Sequence, residues 1–294
     1  MKYTIGLDIG ATQLRGAIIS EAAEVLFPTS TKTIRGNPEA LLDQVIDLVS
    51  TLLGKNYPIE GIGIGIPGPV KPGTGFVYVL QNIGISDFDI KTPLKERFKL
   101  PVFVDNDANV AAYGEAMAGA GKGYQVVQYI TLSTGIGGGL VIDGKIYTGQ
   151  HGFAQEIGNM IIDSGQPRPN PSMNEGSFES WCSGSSLVRM ARESGFQASN
   201  AGDVFSNHEC APIVDVWLNH LGMAIANLIN INEPDIIILG GGLMKSSTQF
   251  FHRILPEVLK HTLSGLQKYL LIKSALLGQN SGLVGAGIIA FRKQ

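Results

Sequence analysis

The chain has 294 residues, 44 % hydrophobic and 16 % charged, enough apolar material for one large or two compact domains and too much for bulk disorder. A net charge of −3 offers no basic surface to nucleic acid, and no apolar run approaches the roughly 20 residues that span a bilayer. Two isolated cysteines, Cys182 and Cys210, form neither a disulfide framework nor a C-x-x-C metal pair, so a reducing, cytoplasmic setting is expected, and strand-like sequence from Tyr3 leaves no room for a signal peptide.

Ile5, Leu7 and Ile9 alternate with small or polar residues as in a half-buried strand, Gly10 permits a tight turn, and residues 14–20 run back. Asp8 ends the first strand, where a carboxylate can hold a hydrated divalent cation. Gly10 leaves backbone N–H groups to an anion, and Thr12 adds a hydroxyl. The pattern suits a phosphate-and-metal clasp, and equally a hairpin whose Asp and Thr satisfy the turn. Residues 24–27 and 30–34 supply a third antiparallel strand. Asn37, Pro38 and Glu39 start a helix that continues through Leu41, Val45, Val49 and Leu52. Ile62, Ile64 and Ile66 mark a strand ending at Pro67-Gly68-Pro69, after which residues 72–93 read as loop. A buried strand at 101–104 leads into Asp105-Asn106-Asp107 and an Ala-rich helix ending near Met117.

The Gly-rich break at 119–123 predicts a domain boundary, giving an N-terminal α/β domain over 1–118 and a larger C-terminal α/β domain over 119–280. The second half opens like the first: a strand at 126–133, a turn from Thr134 to Gly139, a returning strand, and a hairpin at Asp143-Gly144. A loop is expected at 163–176, helices at 178–193, 212–230, 248–262 and 282–292, and strands at 235–239 and 270–272.

Glycine is the compositional outlier at 38 residues, nearly twice the usual share of about 7 %, and it clusters after strands at Gly10, at 135–139 and at 240–242. A triphosphate needs many backbone N–H donors at close approach, and glycine lets them come close. No G-x-x-x-x-G-K-[ST] sequence occurs, and no turn has the G-x-G-x-x-G spacing of a dinucleotide fold. Asp105, Asn106 and Asp107 lie at a strand end before a helix. Asp107 there suits a base that takes a proton from a hydroxyl, and Asn106 suits hydroxyl binding, although one of the three is needed to cap the helix. Glu156 and Asn159, with Glu175 and Glu179 downstream, suit polyol recognition or a solvated acidic surface. The five histidines show no metal-ligand spacing, and Trp181 and Trp217 are expected in the core.

Taken in order, Asp8-Ile9-Gly10-Ala11-Thr12, Pro67-Gly68-Pro69, Asp105-Asn106-Asp107-Ala108-Asn109, the run from Ser133 to Gly139, His151-Gly152, Glu156-Ile157-Gly158 and Leu239-Gly240-Gly241-Gly242 resemble the ROK family of sugar kinases across the whole chain. The resemblance implies a two-domain actin-like ATPase (ribonuclease H-like) fold with a cleft between the domains, the C-terminal helix 281–294 completing the first. It implies an ATP-dependent kinase acting on the 6-hydroxyl of a hexose, with Asp107 as general base. Gly68, Asn82, Asn106, Glu156, Asn159 and Glu179 would bind sugar. Asp8, Gly10, Ala11, Thr12, Thr134, Gly135, Gly137, Gly241 and Gly242 would bind the nucleotide, with Asp8 holding Mg²⁺ through water. The resemblance further implies a homodimer in the cytoplasm, with no nucleic-acid or membrane partner. N-acetylhexosamine, fructose or β-glucoside acceptors, a phosphoryl donor other than ATP, and a non-catalytic sugar-sensing regulator remain alternatives. The chain departs from the family pattern at Asn159, where His is usual, and in the stretch 160–179, which lacks the family's zinc-binding cysteines and carries Ser177 at the last of their positions, so no zinc is expected.

Overall fold

The computed structural model describes residues 1–292. In chain order its strands and helices are β1 (Tyr3–Ile9), β2 (Gln13–Ser20), β3 (Val25–Lys32), α1 (Pro38–Leu53), β4 (Ile59–Ile66), β5 (Val70–Lys71), β6 (Phe76–Leu80), β7 (Ile85–Asp89), α2 (Lys91–Phe98), β8 (Val102–Asn106), α3 (Asp107–Ala118), β9 (Val126–Leu132), β10 (Ile136–Ile142), β11 (Lys145–Ile146), α4 (Phe178–Cys182), α5 (Gly184–Glu193), α6 (Ala201–Ser206), α7 (Ala211–Asn232), β12 (Ile236–Gly240), α8 (Ser247–His261), β13 (Ile272–Ser274) and α9 (Ser281–Ile289). The strands form five-stranded sheets in the orders β3-β2-β1-β4-β8 and β11-β10-β9-β12-β13, and a three-stranded sheet β5-β6-β7.

The chain divides into two compact units. The first combines residues 1–125 and 139–155 with the chain from Ala275 onward. In its sheet β1, β2 and β3 are antiparallel, while β4 and β8 run parallel to β1. Ile5, Leu7, Ile9, Ile62, Ile64 and Ile66 are all 0 % exposed, and α1 adds Leu41, Val45, Val49 and Leu52 to the same core. The start signals of α1 act as the sequence predicts: Asn37 Oδ1 accepts from Ala40 N–H and Pro38 occupies the first turn. On the returning chain, α9 lies so close to its neighbours that a Cβ at Gly63 would overlap the Ala286 carbonyl, and one at Gly285 the Val110 carbonyl.

Residues 72–93 are not the expected loop: they hold β6, β7 and the start of α2. The turn signals there are real, but they separate short strands that bury Val77, Leu80, Ile85 and Phe88.

The second unit spans 126–138 and 156–274. Trp217, Phe178 and Phe250 are 0 % exposed at its centre, with Leu218 and Leu221 of α7 packed among them. Both tryptophans are therefore in the core, as expected. The helix predicted over 178–193 is broken at Ser183, whose extended backbone ends α4 and whose hydroxyl caps α5 by accepting from Ser186 N–H. Residues 201–206 form α6, capped reciprocally by Asn200 and Asp203. The last strand begins at Ile272, where it pairs with Ile237, and not at 270. Helix α7 and the turn before it, His208–Asn232, is long and apolar enough to cross a membrane by length and composition, but 67 % of that window is buried inside the protein, as in a core helix.

Candidate active site

In the first unit, β1 delivers Asp8 to the end of the sheet, in register with Arg15 of β2. The two side chains form an ion pair, and Arg15 Nη1 also donates to the Gln279 carbonyl at 2.8 Å. Arg15 is therefore tied to the Asp8 carboxylate, a link the sequence reading did not anticipate. The Gly10 N–H is spent within the turn, donating to the Gln13 carbonyl at 2.8 Å. Thr33 braces this turn: its hydroxyl donates to the Gly10 carbonyl and its N–H to that of Thr12.

At the end of β8, Asn106 is the cap of α3. Its Oδ1 accepts from Ala108 and Asn109 N–H, and its Nδ2 donates to the Gly68 carbonyl at 3.1 Å. Asp107 follows as the first residue of α3, with Oδ1 accepting from Ala108 N–H at 2.8 Å. The structure thus joins Gly68 and Asn106 directly. Asn82 is exposed in the turn between β6 and β7.

In the second unit, Glu179 of α4 accepts from Ile136 N–H at 2.8 Å and lies against Gly135. Burial pushes its carboxyl above the ordinary value of 4.5, offset in part by that hydrogen bond. Glu156 has one side open to solvent, yet the protein around it, and the charge of Glu179, also raise its carboxyl above 4.5. Asn159 turns its Oδ1 to the Asn174 N–H at 2.6 Å, and Asn174 Nδ2 donates back to the Asn159 carbonyl. These bonds, the Ile161–Ser177 bridge and the cap of α4 by Ser177 hold the cysteine-free stretch.

Thr134 and Gly242 line a cavity of about 550 Å³ together with Ser185, Arg192, Asn200 and Lys245. Gly240 ends β12, and Gly241 follows it with φ +89° and with Leu132 and Thr131 so near that a side chain would overlap them. Gly137 lies on β10 just beyond the Thr134 turn. Sequence reasoning missed Ser185, Arg192, Asn200 and Lys245 because they carry no motif. The break at Ser183 and the existence of α6, which place the first three, depend on packing.

A metal and a nucleotide are implied by the resemblance. Mg²⁺ is ordinarily held by one or two carboxylates together with phosphates and water, and Asp8 beside the braced Gly10 turn fits that modest requirement. Among the described residues no group of three or more His, Cys, Asp or Glu is placed to hold a metal by itself.

The sequence profile of the ROK family matches residues 4–293. A glucokinase from Halalkalibacterium halodurans is 32 % identical over 97 % of this chain and 94 % of its own length. A xylose repressor from Bacillus subtilis is 28 % identical over 98 % of this chain and 76 % of its own. Among solved structures, a ROK hexokinase from Thermus thermophilus superposes with a TM-score of 0.87 at 28 % identity, covering 98 % of each chain. A ROK glucokinase from Streptomyces griseus in complex with glucose and AMPPNP gives 0.80 at 27 % identity, again covering 98 % of each. These likenesses span nearly the whole of this chain, the solved ROK kinases share its actin-like α/β architecture, and the chain belongs to the ROK family.

Proposed function

We propose that this protein is an ATP-dependent sugar kinase that transfers the γ-phosphoryl group to the 6-hydroxyl of a hexose. The observation that carries the reading is the turn after β8. Asn106 is the N-cap of α3 and accepts from Ala108 and Asn109 N–H, while Asp107 only shares the Ala108 N–H, so the cap does not itself require a carboxylate at 107. As the 6-hydroxyl oxygen attacks the γ-phosphorus, Asp107 takes the hydroxyl proton, the bond to the bridging oxygen breaks, and ADP leaves with the electron pair. Asn106, Glu156, Glu179, Gly68 and Asn82 hold the sugar together with Asn159, whose Oδ1 also accepts from the Asn174 N–H. The Asp8–Thr12 turn and Thr134, Gly135 and Gly137 hold phosphates, while Gly241 and Gly242 with the 550 Å³ cavity hold the adenosine. Asp8 would hold Mg²⁺ through water, and the metal would supply charge neutralisation on the phosphates. Glucose is the first acceptor to test, in keeping with the glucokinase relative, followed by N-acetylhexosamines, fructose and β-glucosides.

The test is ADP release by the purified protein with ATP, Mg²⁺ and that panel of sugars, with polyphosphate as a second donor. Asp107→Asn is expected to lower turnover by about 10²–10⁴-fold while leaving sugar affinity within a few-fold. Unchanged turnover removes Asp107 from the role of base. The xylose repressor relative supports a second reading, a sugar-sensing regulator. Sugar binding by calorimetry with no ADP release from any acceptor would establish that reading instead.

A further inference from the structure

Asp105 precedes the proposed sugar and base residues and is assigned no part in the mechanism above. It is the penultimate residue of β8, paired in register with Gly65 of β4. Its Oδ1 accepts from Asn106 N–H at 2.7 Å and from Asn109 Nδ2 at 3.0 Å. Asn109 lies on the first turn of α3, is 2 % exposed, and has an Oδ1 that is buried with no hydrogen-bond donor. A buried amide oxygen without a donor is costly, and native structures rarely leave one.

We infer that Asp105 keeps its proton at neutral pH and donates it to Asn109 Oδ1, so that the two side chains form a neutral carboxyl–carboxamide pair that fixes the turn carrying Asn106 and Asp107. The surroundings favour the neutral acid. Burial pushes the Asp105 carboxyl above its ordinary value of 3.8, against the hydrogen bonds from Asn109 and Asn106 and the positive charge of Arg292. Arg292 itself is held by the Tyr113 hydroxyl and the Gly144 carbonyl. Among the other elements packed here, β4 presents Gly65 and α9 carries no ionisable side chain. The ammonium of Lys91 on α2 goes to the Gly73 carbonyl, Lys71 of β5 is exposed, and Asp107 is the neighbouring acid on α3. Asp105 is then a positioning residue. It ties the strand end to α3 through Asn106 N–H and Asn109, and so sets where Asp107 stands.

The kinetic consequence rests on the proposed role of Asp107, but the proton on Asp105 does not. The decisive variant is Asp105→Asn, whose amide supplies the same donor and acceptor without a titrating proton. Infrared difference spectra of wild type against this variant at neutral pH are expected to show a protonated carboxyl C=O band in wild type only. In thermal melts, a native acid with a raised pKa binds protons the unfolded chain has released, so its contribution to stability falls as pH rises above about 3.8. The variant should lack this fall and gain in relative Tm toward neutral pH. Asp105→Asn is expected to keep kcat within about threefold, whereas Asp105→Ala lowers kcat by about 10–100-fold with KM for ATP unchanged, as misplacement of a reacting group does. Absence of the carboxyl band, or a variant less stable than wild type at every pH, overturns the inference. If no sugar is turned over by wild type, the proposed activity fails while the infrared and melting results still decide the state of Asp105.

Discussion

At the residue scale, the acids of the two units are in different situations. Asp8 is ion-paired to Arg15, whereas Glu156 and Glu179 are held above 4.5 mainly by burial. This gives a pH prediction with two opposite signs. Sugar hydroxyls donate to ionised carboxylates, so sugar affinity is expected to fall as pH drops, beginning above 4.5 because both values are raised. The sugar-free protein behaves the other way. Between 4.5 and their raised native values, these two groups hold more protons in the folded than in the unfolded state, so their contribution to stability grows as pH falls. Calorimetric titration with sugar, alongside melts without it, checks both. Glu179→Gln should flatten the two trends together.

At the element scale, the contact between α3 and α9 depends on bare backbone. Gly285 of α9 stands against the Val110 carbonyl, and Gly114 of α3 against the Ser281 carbonyl. No side chain fits at either point without moving a helix. Gly285→Val is expected to cost about 3 kcal/mol or more, read from urea unfolding, because overpacking here meets backbone and not a flexible side chain. Other elements declared themselves in the sequence. The Asn37-Pro38-Glu39 start of α1 and the Asp143-Gly144 hairpin were legible because capping and turn chemistry are local. The break at Ser183 was not, since the periodicity of 178–193 passes through it undisturbed.

At the scale of the whole molecule, the first unit is assembled from three separate stretches of chain, and the last of them is anchored by Glu115. This side chain, 0 % exposed, accepts from Leu276 and Leu277 N–H, from the Ser281 hydroxyl, and from Ala120 N–H. It joins residues up to 166 positions apart in sequence. Glu115→Gln would replace one acceptor oxygen by a donor facing other donors. It is expected to cost about 2 kcal/mol or more in urea unfolding, the range of hydrogen bonds to charged groups.

The sequence by itself determined the strand–turn–strand units, the cap of α1, the core tryptophans and, through the ordered motifs, the family. These follow from local periodicity, turn chemistry and spacing, which do not depend on what lies across the fold. Only the tertiary structure decided that Arg15 pairs with Asp8, that Asn106 and not Asp107 caps α3, that Asn159 spends its oxygen on Asn174, and that Asn109 is left without a donor. Each of these is a choice among chemically equivalent partners. Such choices are settled by which groups burial brings within hydrogen-bond distance, and burial is a property of the folded chain.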